Sequence, residues 1–233
     1  DINESLMKFS VNHRGDIRFG LGAIKGVGSQ AVENILKERE ENGEFSDIYN
    51  VMERINLTTC NRKTLENLAI AGAFDSFGIA REQFVEEDEM GGDFLDALIK
   101  YGIQYKLDQS QAQNSLFGEE ATAIITKPLP VPVSKPWTNL ERLNKERDLI
   151  GIYISGHPLD KYKIILNKVC TTTVVDLDNL NTLADQDITF GGIVTDTREG
   201  MTKRDKPYGV IKLEDYKGAY ELMFWGDDWA RFG

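Results

Sequence analysis

One stretch decides the fold of the first part of the chain: residues 17–36, which read IRFGLGAIKGVGSQAVENIL. Gly26 and Gly28 bracket the apolar Val27, and apolar residues then recur at helical spacing as far as Leu36. Glycine permits positive φ and, having no side chain, allows a ligand to approach the backbone closely. The pattern predicts a helix-hairpin-helix; the alternative is an ordinary glycine turn in a helical domain.

This hairpin is a candidate phosphate site. Backbone amides at the start of a helix point outward and favour anions, and Lys25 adds a positive charge beside them. Nothing in the arrangement reads base edges, so we expect it to contact the backbone of duplex DNA without regard to sequence. The candidate residues are Lys25, Gly26, Val27, Gly28, Ser29 and Gln30.

A second unit of similar form follows at residues 61–75, NRKTLENLAIAGAFD. It lacks the Gly-x-Gly pair, so its hairpin is degenerate and its predicted role is mainly structural. Two such units packed back to back would bury both apolar faces. Arg62 and Lys63 are its candidate phosphate contacts.

The rest of the chain divides by residue pattern. Helical spacing recurs at 48–55, 65–69, 94–99 and 139–150. From Asp108 to Trp137 a Gln- and Ser-containing stretch precedes a proline-rich run, which is typical of a stiff, extended linker. Alternating residues then predict three meandering strands near 188–194, 208–213 and 220–225, the last two joined by a turn at 215–218.

Composition limits the function. The 233 residues carry a net charge of −11, so any grip on nucleic acid must be local. No apolar run is long enough to span a bilayer. The chain begins at Asp1 rather than Met, and we expect it to be part of a longer polypeptide. Cys60 and Cys170, with His13 and His157, do not make a four-ligand zinc cluster; cytosolic free thiols are favoured over a disulfide.

Three strings, taken together, resemble the bacterial DNA polymerase III alpha family: IRFGLGAIKGVG, LENLAIAGAFDSFG and ERLNKERDLIGIYISGHPLDKY. They occur in the family's order over nearly the whole chain. The resemblance implies an α+β multidomain fold, mostly helical at first and ending in a truncated OB-type β-barrel. The expected domains are a tandem helix-hairpin-helix DNA-binding domain at 1–107, a clamp-binding peptide and proline-rich linker at 108–138, a helical or mixed connecting segment at 139–186 and an incomplete OB fold at 187–233.

A short peptide, Gln113-Asn-Ser-Leu-Phe117, resembles the sequence by which bacterial polymerases bind the β sliding clamp. Leu116 and Phe117 would fill an apolar pocket while the Gln113 amide bonds at its rim. The clamp-binding candidates are therefore Gln113, Ser115, Leu116 and Phe117. Asn114 departs from the apolar residue that many such peptides carry there. In the alternative interpretation, the Leu-Phe pair folds back onto a neighbouring domain.

The implied OB fold would bind single-stranded DNA by stacking bases on aromatic residues in a basic groove. Its candidate basic contacts are Arg198, Lys203, Arg204 and Lys206, and the candidate aromatic residues are Phe190, Tyr208, Phe224 and Trp225. The alternative is that the aromatic residues fill a core and the basic residues line a solvated turn. For His157, a structural role in a turn is favoured over a catalytic one.

The resemblance therefore implies a non-catalytic, cytoplasmic bacterial segment that holds duplex DNA and docks on the clamp for processive replication. The family's closely spaced aspartate motif is not in this sequence, so we expect no polymerase activity and no cofactor or metal ion. Expected partners are double-stranded DNA, single-stranded DNA, the β sliding clamp and other replisome subunits, with no membrane. The alternative is a scaffold whose helix-hairpin-helix packs on protein rather than on DNA.

Overall fold

The computed structural model describes residues 1–87, 91–114 and 127–232, with the backbone alone described at 112–114 and 232. The chain divides into two compact units, Asp1–Ile154 and Ser155–Gly233. The first is helical and the second carries a three-stranded sheet. The α+β class expected from the sequence is therefore confirmed.

The described part of the first unit contains six α-helices, preceded by a short antiparallel ribbon that the sequence did not predict. The ribbon pairs β1 (Ser10–Val11) with β2 (Ile17–Arg18), and the helices are α1 (Ser29–Asn42), α2 (Ile48–Arg54), α3 (Arg62–Ile70), α4 (Arg81–Val85), α5 (Phe94–Asn114) and α6 (Asn139–Ile150). Every predicted helical periodicity coincides with one of these helices.

Side-chain caps fix where several helices begin. The Asp47 carboxylate accepts the Asn50 N–H at the start of α2, and the Asn61 side chain accepts the Thr64 N–H at the start of α3. A reciprocal capping box between Thr138 and Glu141 begins α6. These caps satisfy amides that a helix leaves without partners.

The helices of the first unit enclose one apolar cluster. Its completely buried members, each at most 1% exposed, include Val32, Ile35, Val51, Met52, Ile55, Leu65, Leu68, Phe74, Phe84, Leu95 and Leu98. Each such side chain stabilises the fold by about 1.5–3 kcal/mol relative to exposure. The cluster joins α1, α2, α3 and α5, so the two predicted hairpin units share a single core.

Helix α5 runs further than the sequence suggested. It continues through residues 108–114, where we expected the linker to begin, because glutamine and alanine are good helix formers. The proline-rich residues 127–138 have no regular structure, as expected. They lie against α4 and its C-cap: Gln83 donates to the Pro132 carbonyl at 2.6 Å, and the Trp137 indole donates to Glu86 at 2.6 Å.

The second unit contains an antiparallel meander in the order β3-β4-β5. The strands are β3 (Ile193–Met201), β4 (Pro207–Glu214) and β5 (Ala219–Trp225), flanked by α7 (Lys163–Val169) and α8 (Asp227–Phe232). The predicted turn and its two strands are confirmed. The first strand begins at Ile193 rather than Ile188, because Gly191 and Gly192 favour strand poorly.

These three strands form an open sheet, and no closed barrel is present among the described residues. The OB-type barrel thus remains an expectation.

His157 has a structural role: its Nδ1 accepts the Leu159 N–H at 3.2 Å, and its ring packs against Tyr216 at 4.5 Å between centroids. Of the helices that the structure describes, none is long and apolar enough to cross a membrane.

Both cysteines are free thiols, but their surroundings differ. Cys60 is completely buried in the core of the first unit, and this burial raises the pKa of its thiol to about 11. Cys170 lies in the second unit and is partly exposed.

We expect only one thiol of the native protein to react quickly with a soluble disulfide reagent at pH 8, because the thiolate is the reactive form and burial suppresses it at Cys60. The number of reactive thiols is read by absorbance with and without denaturant, and we expect two reactive thiols in denaturant. Cys170→Ser should abolish the fast native reaction, whereas Cys60→Ser should leave it unchanged. Two fast thiols in the folded protein would contradict the buried placement of Cys60.

Candidate nucleic-acid interface

The glycine hairpin leads directly into α1. On its N-terminal side the expected helix is only a single 3-10 turn, Leu21–Ala23, because Gly20 and Gly22 disfavour a longer helix. Ile24 and Val27 are buried, which confirms that Val27 packs inward. Helix α1 then begins at Ser29.

An asparagine beneath the hairpin fixes its shape. Asn67, on α3 and only 2% exposed, donates from Nδ2 to the Lys25 carbonyl at 2.8 Å. Gly26 has φ of +76°, and a Cβ built there would lie 2.5 Å from the same Nδ2. Only glycine therefore suits position 26, for both its backbone conformation and its contact with α3.

Sequence reasoning missed Asn67. The only signal was a polar residue on the otherwise apolar face of a predicted helix, and such a residue needs a buried hydrogen-bond partner.

The amides at the start of α1 face solvent. Gly28, Ser29 and Gln30 are exposed, and no protein group in the described ranges accepts a hydrogen bond from their N–H groups. Gly28 provides the N-cap without a side-chain hydrogen bond. The Lys25 N–H differs, because it donates to the Leu149 carbonyl at 2.9 Å. Three of the predicted contact residues thus offer outward amides, while Lys25 offers only its side chain.

The second hairpin unit binds protein groups instead. Gly72, with φ of +82°, closely accommodates the guanidinium of Arg81. That guanidinium contacts Asp75 at 2.7 Å, Glu146 at 2.7 Å and the Ile70 carbonyl at 3.1 Å. Its contacts within the first unit support the structural role predicted for this turn.

The basic residues of the second hairpin unit are also neutralised. Arg62 forms ion pairs with Glu66, Asp93 and Asp96, and Lys63 pairs with Glu66 at 2.9 Å. The hydrogen bond to Asp96, followed by the charge of Asp93, raises the pKa of the Arg62 guanidinium. Arg62 is therefore poorly suited to bind a phosphate.

Most of the candidate clamp peptide lies outside the described residues. Gln113 occupies the last turn of α5, where only the backbone is described. Ser115, Leu116 and Phe117 fall between the described ranges.

The basic candidates of the second unit fall into two groups. Arg198 lies on β3 and forms ion pairs with Glu221 and with Asp196, the latter at 3.3 Å. Lys203, Arg204 and Lys206 are exposed in the turn between β3 and β4. The turn therefore brings three of the four basic side chains together.

The sheet register decides which aromatic residues face outward. Tyr208 pairs across the strands with Trp225, and their ring centroids are 5.4 Å apart. Trp225 is 53% exposed, whereas Phe190 and Phe224 are only partly exposed. Because side chains alternate along a strand, Arg198, Tyr208 and Trp225 share one face.

In the residues that the structure describes, no group of three or more His, Cys, Asp or Glu side chains could hold a metal ion.

Comparison with known proteins identifies a motif family and several relatives of this chain. The helix-hairpin-helix motif family matches residues 1–84. DNA polymerase III subunit alpha of Haemophilus influenzae is 31% identical over 233 residues, which is 100% of this chain and 19% of that protein. The Campylobacter jejuni subunit is 34% identical over 223 residues, 94% of this chain and 18% of that protein, and the Borreliella burgdorferi subunit is 34% identical over 236 residues, 100% and 20% respectively. These relatives confirm the resemblance carried by the three strings.

The two hairpin glycines provide a matched test of the geometry. Gly26→Ala should lower the free energy of unfolding by about 1–3 kcal/mol, because alanine is strained at positive φ and would collide with Asn67. Gly28 has φ of −74° and nothing within 4 Å of its added Cβ, so Gly28→Ala should cost less than about 1 kcal/mol. Chemical denaturation of both variants checks this, and equal losses would refute the role assigned to Asn67.

Proposed function

We propose that this chain, which belongs to the DNA polymerase III alpha family over its whole length, holds duplex DNA through its glycine hairpin and docks on the β sliding clamp. The chain spans about a fifth of the length of the curated relatives that it matches. We also propose that the complete protein is a cytoplasmic DNA-directed DNA polymerase working with other replisome subunits. In this proposal the segment supplies binding rather than catalysis, since the closely spaced aspartate motif is not in its sequence.

The observation that carries the proposal is the set of outward amides at Gly28, Ser29 and Gln30. They lie at the positive end of the α1 dipole, where phosphate oxygens are favoured. Lys25 is exposed beside them and has no carboxylate within salt-bridge distance among the described side chains. Such a site binds the DNA backbone and leaves the base edges unread.

Net charge explains why the hairpin must act with other contacts. At −11 the chain repels a polyanion at long range. A tether to a ring that encircles DNA raises the effective concentration, so that each contact can be weak. Our proposed tether is the peptide Gln113, Ser115, Leu116 and Phe117, because it begins in the last turn of α5 and carries an apolar Leu-Phe pair.

A further proposed contact lies in the second unit. Trp225 and Tyr208 form an aromatic surface on the face of the sheet that carries Arg198. The exposed Lys203, Arg204 and Lys206 lie in the adjoining turn. Exposed aromatic and basic side chains of this kind suit single-stranded nucleic acid, as in an OB fold.

One observation favours the scaffold alternative for part of the chain. At the turn of the second hairpin unit, Gly72 lies against the guanidinium of Arg81, which binds Glu146 on α6, so this turn contacts protein rather than an external anion. Of the two hairpin units, the proposal therefore assigns contact with duplex DNA to the first alone.

Replacing Lys25 should weaken duplex binding. We expect Lys25→Gln to lower affinity several-fold for any sequence and to reduce the slope of log K against log salt by about one, because one phosphate contact is lost. Fluorescence anisotropy with a labelled duplex at several salt concentrations measures both quantities.

Lys37→Gln is the matched control for this experiment. It removes the same charge from an exposed position on α1 that lies eight residues, or about 12 Å along the helix, beyond Ser29. An equal loss in both variants would show that net charge alone controls binding, and no binding by the unchanged chain would reject the DNA proposal.

Clamp docking is tested with purified bacterial β clamp. We expect Gln113→Ala, Leu116→Ala and Phe117→Ala together to abolish binding in a surface-immobilised clamp assay, because buried apolar anchors supply most of a peptide's affinity. A control triple, Ile103→Ala, Gln104→Ala and Leu107→Ala, removes one glutamine and two apolar side chains about half exposed on α5. The proposal is rejected if the two triples bind alike.

A further inference from the structure

The C-terminal end of α6 is joined to the glycine hairpin. The Leu149 carbonyl accepts the Lys25 N–H at 2.9 Å, and the Leu149 side chain packs against the core of the first unit. The Lys25 carbonyl in turn accepts a hydrogen bond from Asn67 Nδ2 at 2.8 Å. Both polar backbone groups of Lys25 are therefore bound to other elements, one to α3 and one to α6.

A buried ion pair holds α6 in this position. Glu146 is 1% exposed, and its Oε2 accepts from Arg81 Nη1 at 2.7 Å, while its Oε1 accepts the Ile154 N–H at 2.7 Å. Arg81 is 6% exposed. A buried carboxylate with both oxygens bound leaves little freedom for the helix that carries it, because displacing the helix would leave a buried charge without its partner.

We infer that Glu146 is a positioning residue for the hairpin: by docking α6, it fixes the Lys25 peptide and so sets the direction of the amides at Gly28, Ser29 and Gln30. The inference that this affects DNA affinity rests on the proposed function. The residue touches no phosphate site itself and acts through Leu149. Binding groups held in place before the ligand arrives lose less entropy on binding, which is the physical advantage of this arrangement.

The test is Glu146→Lys, which places a like charge beside Arg81 and undocks α6. Asp148→Lys is the matched control, because Asp148 is exposed on the same helix and the charge change is identical. Simple electrostatics predicts tighter DNA binding for both variants, since each becomes more positive by two charges. A positioning role for Glu146 predicts weaker binding in Glu146→Lys alone, so the two explanations predict opposite changes in the DNA affinity of this variant.

Two readouts are taken on the whole chain. Amide hydrogen exchange reports the Lys25 N–H directly, with the amides of Ile35 and Val51 as references for global opening. We expect Lys25 to exchange at least about tenfold faster in Glu146→Lys, which corresponds to the loss of one hydrogen bond, with the references unchanged. Duplex affinity should fall about threefold, as expected when a pre-ordered site must be ordered on binding.

The outcomes are distinct. Unchanged exchange at Lys25, or equal acceleration at Ile35 and Val51, overturns the positioning role whatever DNA does. Affinity that rises as in Asp148→Lys also overturns it. If the unchanged chain binds no duplex, the proposed function fails, while the exchange measurement still decides whether Glu146 fixes the hairpin.

Discussion

A side-chain amide beneath the glycine hairpin is the contact on which the geometry of the first unit depends. Asn67 donates to the Lys25 carbonyl and occupies the space where a Cβ at position 26 would lie. This close approach requires glycine, and it brings α3 against the turn that precedes α1. The two hairpin units can then share one apolar core, and the outward amides of α1 keep a fixed direction.

Ion pairing inside the first unit engages the two arginines of α3 and α4. Arg62 is held by three carboxylates, and Arg81 is held by Asp75 and Glu146. A buried charge needs such partners, because desolvation without them is very costly. In an acidic chain this leaves backbone amides and Lys25 as the main features for an anion at the first hairpin. Backbone recognition of this kind is insensitive to base sequence.

The second unit presents a different surface. Its meander is open among the described residues, so side chains on both faces of the sheet remain partly exposed. Trp225 and Tyr208 pack on each other across neighbouring strands, which gives an aromatic surface without a closed barrel. Such a surface suits stacking, whereas the ion pairs of Arg198 reduce its availability to a phosphate.

The sequence by itself determined the helices, the strands of the meander and the Gly-x-Gly hairpin, because each depends on periodicity and turn chemistry over a few neighbouring residues. It also determined the inward packing of Val27. Only the tertiary structure decided that Asn67 lies beneath Gly26, that Leu149 holds the Lys25 amide and that Arg81 meets Glu146. Asn67 and Lys25 are 42 residues apart, and Arg81 and Glu146 are 65 apart. No local pattern specifies such partners, because they are brought together only when the helices bury their apolar faces in a common core.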